Sequence, residues 1–307
     1  MSKTLSVRLF FVLLLSGIII FLPGCAKSEN SGEEPPVYSP ARVLTPEAPG
    51  TQTLGSSPLV LDISNQDQGY LTAQSDSEDS RMSIQLTTPS GVLYSYFLAP
   101  KEQAVIPFSE GSGDYVITCY QQINGSQYAA LYSETLTVNL ENEFLPFLYP
   151  NQYVNFSAES EACTLAQSLV TKEMKDVDIL KTFYNYVTSH ITYDYDKANS
   201  VEAGYLPDID ETLLTGTGIC FDYAALLTAM LRSQDIPCKL EIGYSGEIKH
   251  AWIDVYIRGK GWATKAVSFD GDTWQLMDPT FDANSDDDET IQEYIGDESN
   301  YTVQFSR

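Results

Sequence analysis

Three residues in the second half of the chain have the types and positions that acyl-transfer chemistry requires. Cys220 lies where the Gly-rich segment 215–218 meets the start of a predicted helix, so unpaired backbone N–H groups and the helix dipole favour the nucleophilic thiolate. His250 opens a predicted strand, and its imidazole could take the thiol proton and later protonate a leaving amine. Asp278 ends another predicted strand, where a carboxylate would orient the imidazole. In this order, the three residues form a candidate Cys-His-Asp triad.

Each member of this triad also has a purely structural explanation. A Cys at a helix start is often a small buried residue, and a His can be a hydrogen-bonded core residue. An Asp before Pro, as in Asp278-Pro279, is a common turn former. Residue types and spacing alone leave both explanations open.

Other candidates near the triad favour structural roles. His190 at the end of a predicted helix interacts favourably with the C-terminal dipole, and Asp222 in the first turn of its helix does so with the N-terminal dipole. Cys238 lies in an apolar strand, and packing explains Tyr193 better than a contribution to an oxyanion hole. The acidic run 286–289 lacks the spaced ligands of a calcium loop, and no Cys/His pair has zinc spacing. We therefore expect no cofactor or metal.

The elements that must position the triad follow from a change in hydrophobic period. Apolar residues at helical spacing predict helices over 161–172, 177–191 and about 220–232. The last of these ends before Pro237, and strand-like segments follow at 238–244, 251–257, 261–267 and 274–277. Helices followed by an antiparallel meander predict an α+β fold.

The first half of the chain predicts short strands separated by turn residues, which is typical of an all-β sandwich. The predicted strands are 58–63, 82–87, 92–98, 103–108, 114–121, 128–131 and 134–140. A set of tyrosines could bind carbohydrate or peptide by stacking, although core packing is the commoner role of strand aromatics. The set comprises Tyr94, Tyr96, Tyr115, Tyr120, Tyr128 and Tyr132.

The local sequence around the triad resembles a known superfamily. The segments 218–224, His250-Ala251-Trp252 and 274–280 resemble, in family order, the Cys, His and Asp motifs of the transglutaminase-like superfamily. The resemblance covers about residues 160–285. It implies a papain-like core in which Cys220 begins a helix packed on an antiparallel sheet that carries His250 and Asp278.

The resemblance also implies a chemistry. Cys220 would attack an amide carbonyl of a protein or peptide, and the acyl group would pass from the thioester to water or to an amine. The backbone N–H of Cys220 is the first candidate donor of an oxyanion hole. The alternative is a non-catalytic surface-binding module with a structural or vestigial triad, which a Cys220–Cys238 disulfide would favour.

The N-terminus has the layout of an export signal. A short basic start precedes an apolar run at 9–22, and Leu22-Pro23-Gly24-Cys25 resembles the lipobox of bacterial lipoproteins. It predicts cleavage of residues 1–24, lipidation of Cys25 and a protein anchored by its lipid to the bacterial cell membrane on the extracytoplasmic side. Cys119, Cys163, Cys220 and Cys238 would then lie in a compartment that permits disulfides.

Composition and charge limit the classes of partner. The 307 residues are 43% hydrophobic and carry a formal net charge of -25, which indicates a folded protein that repels nucleic acids. We expect a signal peptide over 1–24, a lipidated Cys25 with a Pro-rich flexible linker over 25–50, a β-sandwich domain over 51–148 and a transglutaminase-like domain over 149–307. The expected partners are a protein or peptide substrate and, through the lipid, the membrane.

Overall fold

Two four-stranded antiparallel sheets build the first half of the protein. The computed structural model describes residues 43–263 and 301–307, together with the strands 267–269 and 274–276. The strands are β1 (Thr53–Ser56), β2 (Leu59–Asp62), β3 (Tyr70–Ser75), β4 (Met82–Thr87), β5 (Leu93–Leu98), β6 (Gln103–Pro107), β7 (Gly113–Asn124) and β8 (Gln127–Val138). They pair in the orders β1-β2-β3-β6 and β5-β4-β7-β8.

The two sheets enclose a hydrophobic core, as the predicted β-sandwich requires. Alternate residues of β4, Met82, Ile84 and Leu86, lie in this core with Leu59 and Leu61 of the other sheet. Tyr94, Tyr96 and Tyr115 are buried among them. For these three tyrosines the packing role is therefore confirmed.

Several parts of the sandwich differ from the prediction, which lacks β1 altogether. β8 is one 12-residue strand paired with β7, and not two strands over 128–131 and 134–140, because the polar Ser133 and Glu134 continue the ladder with side chains exposed to solvent. β3 is absent from the predicted set, since its residues alternate poorly and almost all of them are buried. The strand nevertheless lies inside its sheet, between β2 and β6.

Part of the predicted flexible linker is attached to the sandwich. In the segment 43–50, the backbone N–H of Glu47 donates to the Tyr70 hydroxyl over 2.9 Å, and that of Gly50 donates to the Asp62 carboxylate over 2.6 Å. Asn65 in turn donates to the Glu47 carbonyl over 2.8 Å. Because these donors and acceptors are satisfied by the fold, we correct the prediction of a flexible linker for residues 43–50.

Helices and a second antiparallel sheet form the rest of the fold. The helices are α1 (Glu161–Leu169), α2 (Asp176–His190), α3 (Tyr195–Ser200), α4 (Ile209–Thr215) and α5 (Cys220–Arg232). The strands are β9 (Thr192–Tyr193), β10 (Thr217–Gly218), β11 (Cys238–Ser245), β12 (Ile248–Ile257), β13 (Gly261–Ala263), β14 (Val267–Phe269), β15 (Trp274–Leu276) and β16 (Tyr301–Ser306). The sheet order β13-β12-β11-β16 with helices packed on one face confirms the predicted α+β class.

Several short elements of this half are missing from the sequence prediction. α3 and α4 each begin at an Asp whose side chain accepts backbone N–H groups, Asp194 and Asp208, and neither is long enough to show a helical period. α1 ends at Leu169, short of the predicted end at 172.

α5 is the central element of the second core. All residues from Asp222 to Arg232 are buried, because α1, α2 and α4 surround the helix on one side and strands β11 and β12 on the other. Apart from Asp222, Thr228 and Arg232, the buried residues of this enclosed helix are apolar, as its surroundings require. Within the described part of the chain, no helix combines the length and hydrophobicity needed to cross a bilayer.

Candidate active site

Cys220 is the first residue of the buried helix α5, and it lies at the point where that helix reaches the surface. The residue before it, Ile219, is extended, with φ -100° and ψ 175°, so the helix begins at Cys220 and the N–H groups of its first turn have no partner in the helix backbone. Cys220 itself is half-buried and packs against the helical core. The thiol thus combines a fixed backbone with access to solvent, as a nucleophile requires.

A short parallel pairing places this helix start. β10 pairs with β9 in the register Thr217 to Thr192 and Gly218 to Tyr193. A Cβ atom on Gly218 would come within 2.7 Å of the Asp222 Cβ, so only glycine permits this approach of the chain to the first turn of α5. Steric crowding therefore explains why the segment before Cys220 has a glycine at position 218.

Asp222 has more contacts than the sequence prediction gives it. Its fully buried carboxylate accepts the Ile219 N–H over 2.8 Å, which caps the helix, and the Lys197 ammonium over 2.7 Å. The Tyr205 hydroxyl donates to the other carboxylate oxygen over 2.5 Å. The sequence explains Asp222 by its interaction with the helix dipole alone, and the structure adds these three hydrogen bonds.

Lys197 and Tyr205 are site residues that sequence reasoning missed. They lie on α3 and on the loop that follows it, and no motif or period links them to α5. Although burial alone would lower the pKa of Lys197, its hydrogen bonds to Asp222 and Tyr205 raise it. Burial and the hydrogen bond to Asp222 raise the pKa of Tyr205 to about 12.

His250 is the third residue of β12 and is buried, 6% exposed. The sequence predicts that His250 begins the strand. β12 begins two residues earlier, because Ile248 and Lys249 also pair with β11. Its ring lies 6.3 Å from that of Trp252 and 6.5 Å from that of Tyr301, between centroids. The imidazole therefore lies among aromatic side chains.

The topology brings Cys220 and His250 to the same end of the helix-sheet layer. α5 has 13 residues and rises about 20 Å. A tight turn joins it to β11, on which it packs, and β11 advances about 17 Å from Cys238 to Gly243, the partner of His250. The strand thus returns His250 to the level at which the helix begins.

Strand alternation decides which side of the sheet His250 occupies. Ala251, Ile253 and Val255 belong to the helical core, so His250 and Trp252 lie on the opposite face, where Tyr301 packs.

Two predicted site residues, Asp278 and Cys25, lie outside the described residues. Asp278 follows β15, the strand that pairs with β14, by two residues. Their predicted roles stay predictions. The same holds for the acidic run 286–289.

The remaining cysteines lie in structural positions. Cys119, Cys163 and Cys238 are buried and free, and burial raises the pKa of Cys119 and Cys163 to about 11 and that of Cys238 to about 12. Cys238 follows the far end of α5, where Arg232 donates to its carbonyl over 2.9 Å. Because the length of α5 separates Cys220 from Cys238, the two cannot form a disulfide, whose Cα atoms stand at most about 7 Å apart.

Two other candidates from the sequence make aromatic contacts. His190 is the last residue of α2, and its ring stacks on that of Tyr186, 4.0 Å between centroids. Tyr193 contacts the ring of Tyr195 at 4.9 Å. In the described ranges, no group of three or more His, Cys, Asp or Glu side chains could hold a metal ion.

Comparison with known proteins agrees with the motif analysis. Residues 163–279 match the model of the transglutaminase-like superfamily, and this segment contains Cys220, His250 and Asp278. A search of curated proteins finds no match to the chain.

Solved structures with low similarity are also found. A candidate cysteine protease from Cytophaga hutchinsonii has 15% identity and a TM-score of 0.39, and the alignment covers 78% of this chain and 79% of that one. The periplasmic domain of TgpA from Pseudomonas aeruginosa has 14% identity and a TM-score of 0.36, over 79% of this chain and 98% of that one. Similarity at this level does not bear on the activity of this chain. The family match thus shows that residues 163–279 of this chain are similar to the transglutaminase-like superfamily.

Proposed function

We propose that this protein is a cell-surface lipoprotein that transfers acyl groups from protein or peptide amides through a Cys220 thioester, with His250 and Asp278 as the other members of a triad. One observation carries the proposal. The segment that matches the transglutaminase-like superfamily contains all three residues, and its Cys is the half-exposed first residue of a buried helix.

The proposed reaction has two stages. The Cys220 thiolate forms an S–C bond with the amide carbonyl, and the C–N bond breaks as the imidazolium of His250 gives its proton to the leaving amine or ammonia. Water or a second amine then attacks the thioester, His250 takes the proton of that nucleophile, and the thiolate leaves. The Cys220 N–H would donate to the oxyanion, and Asp278 would orient the imidazole.

Hydrolysis is the favoured outcome of the second stage. An amine acceptor competes with water only where the site excludes water. Cys220 is half-buried, so solvent reaches the start of α5. We therefore propose a peptidase or amidase activity before transamidation, with the lipid on Cys25 holding the enzyme at the membrane.

The test compares Cys220→Ala with Cys119→Ala, a matched loss of a thiol from the sandwich core. Peptide panels are assayed for new N-termini or released ammonia, and for incorporation of a primary-amine probe. We expect Cys220→Ala to abolish turnover, and His250→Ala and Asp278→Ala to reduce it by at least about 100-fold, the usual size of acid-base contributions. Activity retained by Cys220→Ala would refute the proposal.

A separate measurement tests the membrane anchor. Mass spectrometry of the protein from its native membrane should show an N-terminal Cys25 carrying acyl chains. An intact segment from Met1 through an unmodified Cys25 would exclude the lipoprotein part and leave the enzymatic part standing.

A further inference from the structure

A buried carboxylate lies in the same helical turn as the proposed nucleophile. Asp222 is two residues after Cys220 and 0% exposed. A negative charge in a desolvated position opposes the formation of a thiolate nearby. The beginning of α5 therefore carries a group that works against the reactivity the helix dipole provides.

Lys197 supplies the opposite charge at this position. Its ammonium lies 2.7 Å from an Asp222 carboxylate oxygen and 4.6 Å from the centre of the Tyr205 ring, and the Lys197 side chain is 29% exposed. The Tyr205 hydroxyl and the Ile219 N–H also donate to the carboxylate. The cluster therefore pairs one buried carboxylate with one ammonium and is neutral in net charge.

The backbone that leads into Cys220 also fixes the position of Lys197. The Asp194 N–H donates to the Gly218 carbonyl over 2.9 Å, two residues before Cys220 in the chain. The Asp194 carboxylate then accepts the Lys197 N–H over 2.8 Å as the N-cap of α3. The placement of the ammonium is thus tied to the same strand pairing that places the start of α5.

We propose that Lys197 is a positioning residue for the Cys220 nucleophile: by neutralising Asp222 it permits a buried helix cap without loss of thiolate at the helix start. The inference rests on the proposed function insofar as it treats Cys220 as the nucleophile. Tyr205 holds the pair together by contacting both partners.

The test measures the rate at which iodoacetamide labels Cys220 in the full chain at pH 7, followed by mass spectrometry of the peptide that carries Cys220. Lys197→Met leaves the carboxylate without its cation, and we expect labelling to slow about three- to tenfold. Asp222→Asn keeps an oxygen for the Ile219 N–H and leaves the ammonium unopposed, so labelling should accelerate by a similar factor. The double variant should return close to the wild-type rate.

Opposite changes in labelling rate for Lys197→Met and Asp222→Asn distinguish this role from a merely structural one. If the cluster only held the loop in place, both single variants would slow labelling or leave it unchanged, and either result would overturn the proposal. Should Asp222→Asn fail to fold, Lys197→Arg decides the matter: it keeps the charge and should label like the wild type, while Lys197→Met labels slowly. Equal rates for Lys197→Arg and Lys197→Met would refute the charge role.

Two control variants match the changes elsewhere. Asp178→Asn removes the corresponding third-residue carboxylate of α2, which accepts the Lys175 N–H over 3.0 Å, and Lys101→Met breaks an exposed ion pair with Glu78. Neither should alter labelling of Cys220. Labelling needs no amide substrate. Absence of Cys220-dependent turnover of peptides would therefore refute the proposed function and leave the labelling result intact. Labelling rates that contradict the role of Lys197 would in turn leave the proposed function standing.

Discussion

The second sheet contains a buried carboxyl group. Glu241 on β11 is 2% exposed, faces the same side of the sheet as Asp254 and accepts the Ser306 hydroxyl over 2.7 Å. Burial first, and then repulsion from Asp254, raise the pKa of Glu241 to about 8. The folded protein therefore holds a proton on Glu241 at pH values where an unfolded chain has lost it.

This predicts a pH dependence of stability with a defined sign. Since the folded pKa of Glu241 lies above its ordinary value, its contribution to stability is present below about pH 4.5 and is lost as the pH rises through about 8. We expect Glu241→Gln, which keeps a partner for Ser306, to match the wild type at pH 4.5. At pH 8 the variant should be more stable by an amount on the order of 2 kcal/mol.

Urea unfolding at both pH values measures this difference. Glu247→Gln, an exposed change in the turn after β11, serves as control and should leave the pH dependence as it is. An equal free-energy difference between Glu241→Gln and the wild type at pH 4.5 and pH 8 would contradict the assignment.

At the level of elements, the long periodic segments are predictable from the sequence and the short or irregular ones are not. The predicted bounds of α5 agree with those of the structure, because its apolar spacing and the following Pro237 are local signals. α3 has only six residues and escapes the prediction, and with it Lys197, whose partner Asp222 is distant in sequence. Pairing across such distances leaves no periodic trace in one sequence.

Gly243 shows a packing requirement that belongs to an element. A Cβ atom there would overlap the Thr302 carbonyl of β16 and come within 2.9 Å of the Trp252 ring. Gly243→Ala should therefore displace β16 and lower the free energy of unfolding by about 2 kcal/mol, as overpacking does.

Gly91→Ala separates this clash from the ordinary strain of losing a glycine. Gly91 has a φ of 87° and open space where a Cβ atom would stand, so its substitution costs only backbone strain of roughly 1 kcal/mol. Chemical unfolding of both variants gives the comparison. A Gly243→Ala cost no greater than that of Gly91→Ala would show that β16 adapts freely.

At the scale of the whole molecule, the last described residues of the second half pack against aromatic residues of the first half. The guanidinium carbon of Arg307 lies 4.1 Å from the centre of the Tyr94 ring, 5.0 Å from that of Tyr96 and 4.5 Å from that of Tyr153. Phe305 of β16 packs edge-on against Tyr94 at 5.3 Å. A strand of the second sheet and the residue that follows it thus pack their side chains against aromatic residues of the first half.

Arg232 connects the same parts from inside the second core. Its buried guanidinium donates to the carbonyls of Cys238, Tyr149 and Arg307 over 2.9, 2.8 and 2.7 Å. Tyr149 belongs to the segment that leads from the sandwich into the helices, so the end of α5 is bonded to that segment and to β16 together. The sequence motifs predict the triad region and the two fold types, but the partners of Arg232 and Arg307 arise only once distant strands meet.

These contacts predict that the two hydrophobic cores unfold in one cooperative transition. Because β16 pairs with β11 while its Phe305 packs on the sandwich core, and the connecting segment places Tyr153 against one core and Val154 in the other, unfolding of one core exposes surface of the other. Differential scanning calorimetry of the wild type should show a single peak, whose calorimetric and van't Hoff enthalpies agree. Combining Phe305→Ala with Arg307→Ala should split that peak into two, whereas Val303→Ala, at an exposed position on the same strand, should leave it single. Two separate transitions in the wild type would mean that the shared aromatic contacts are too weak to couple the cores.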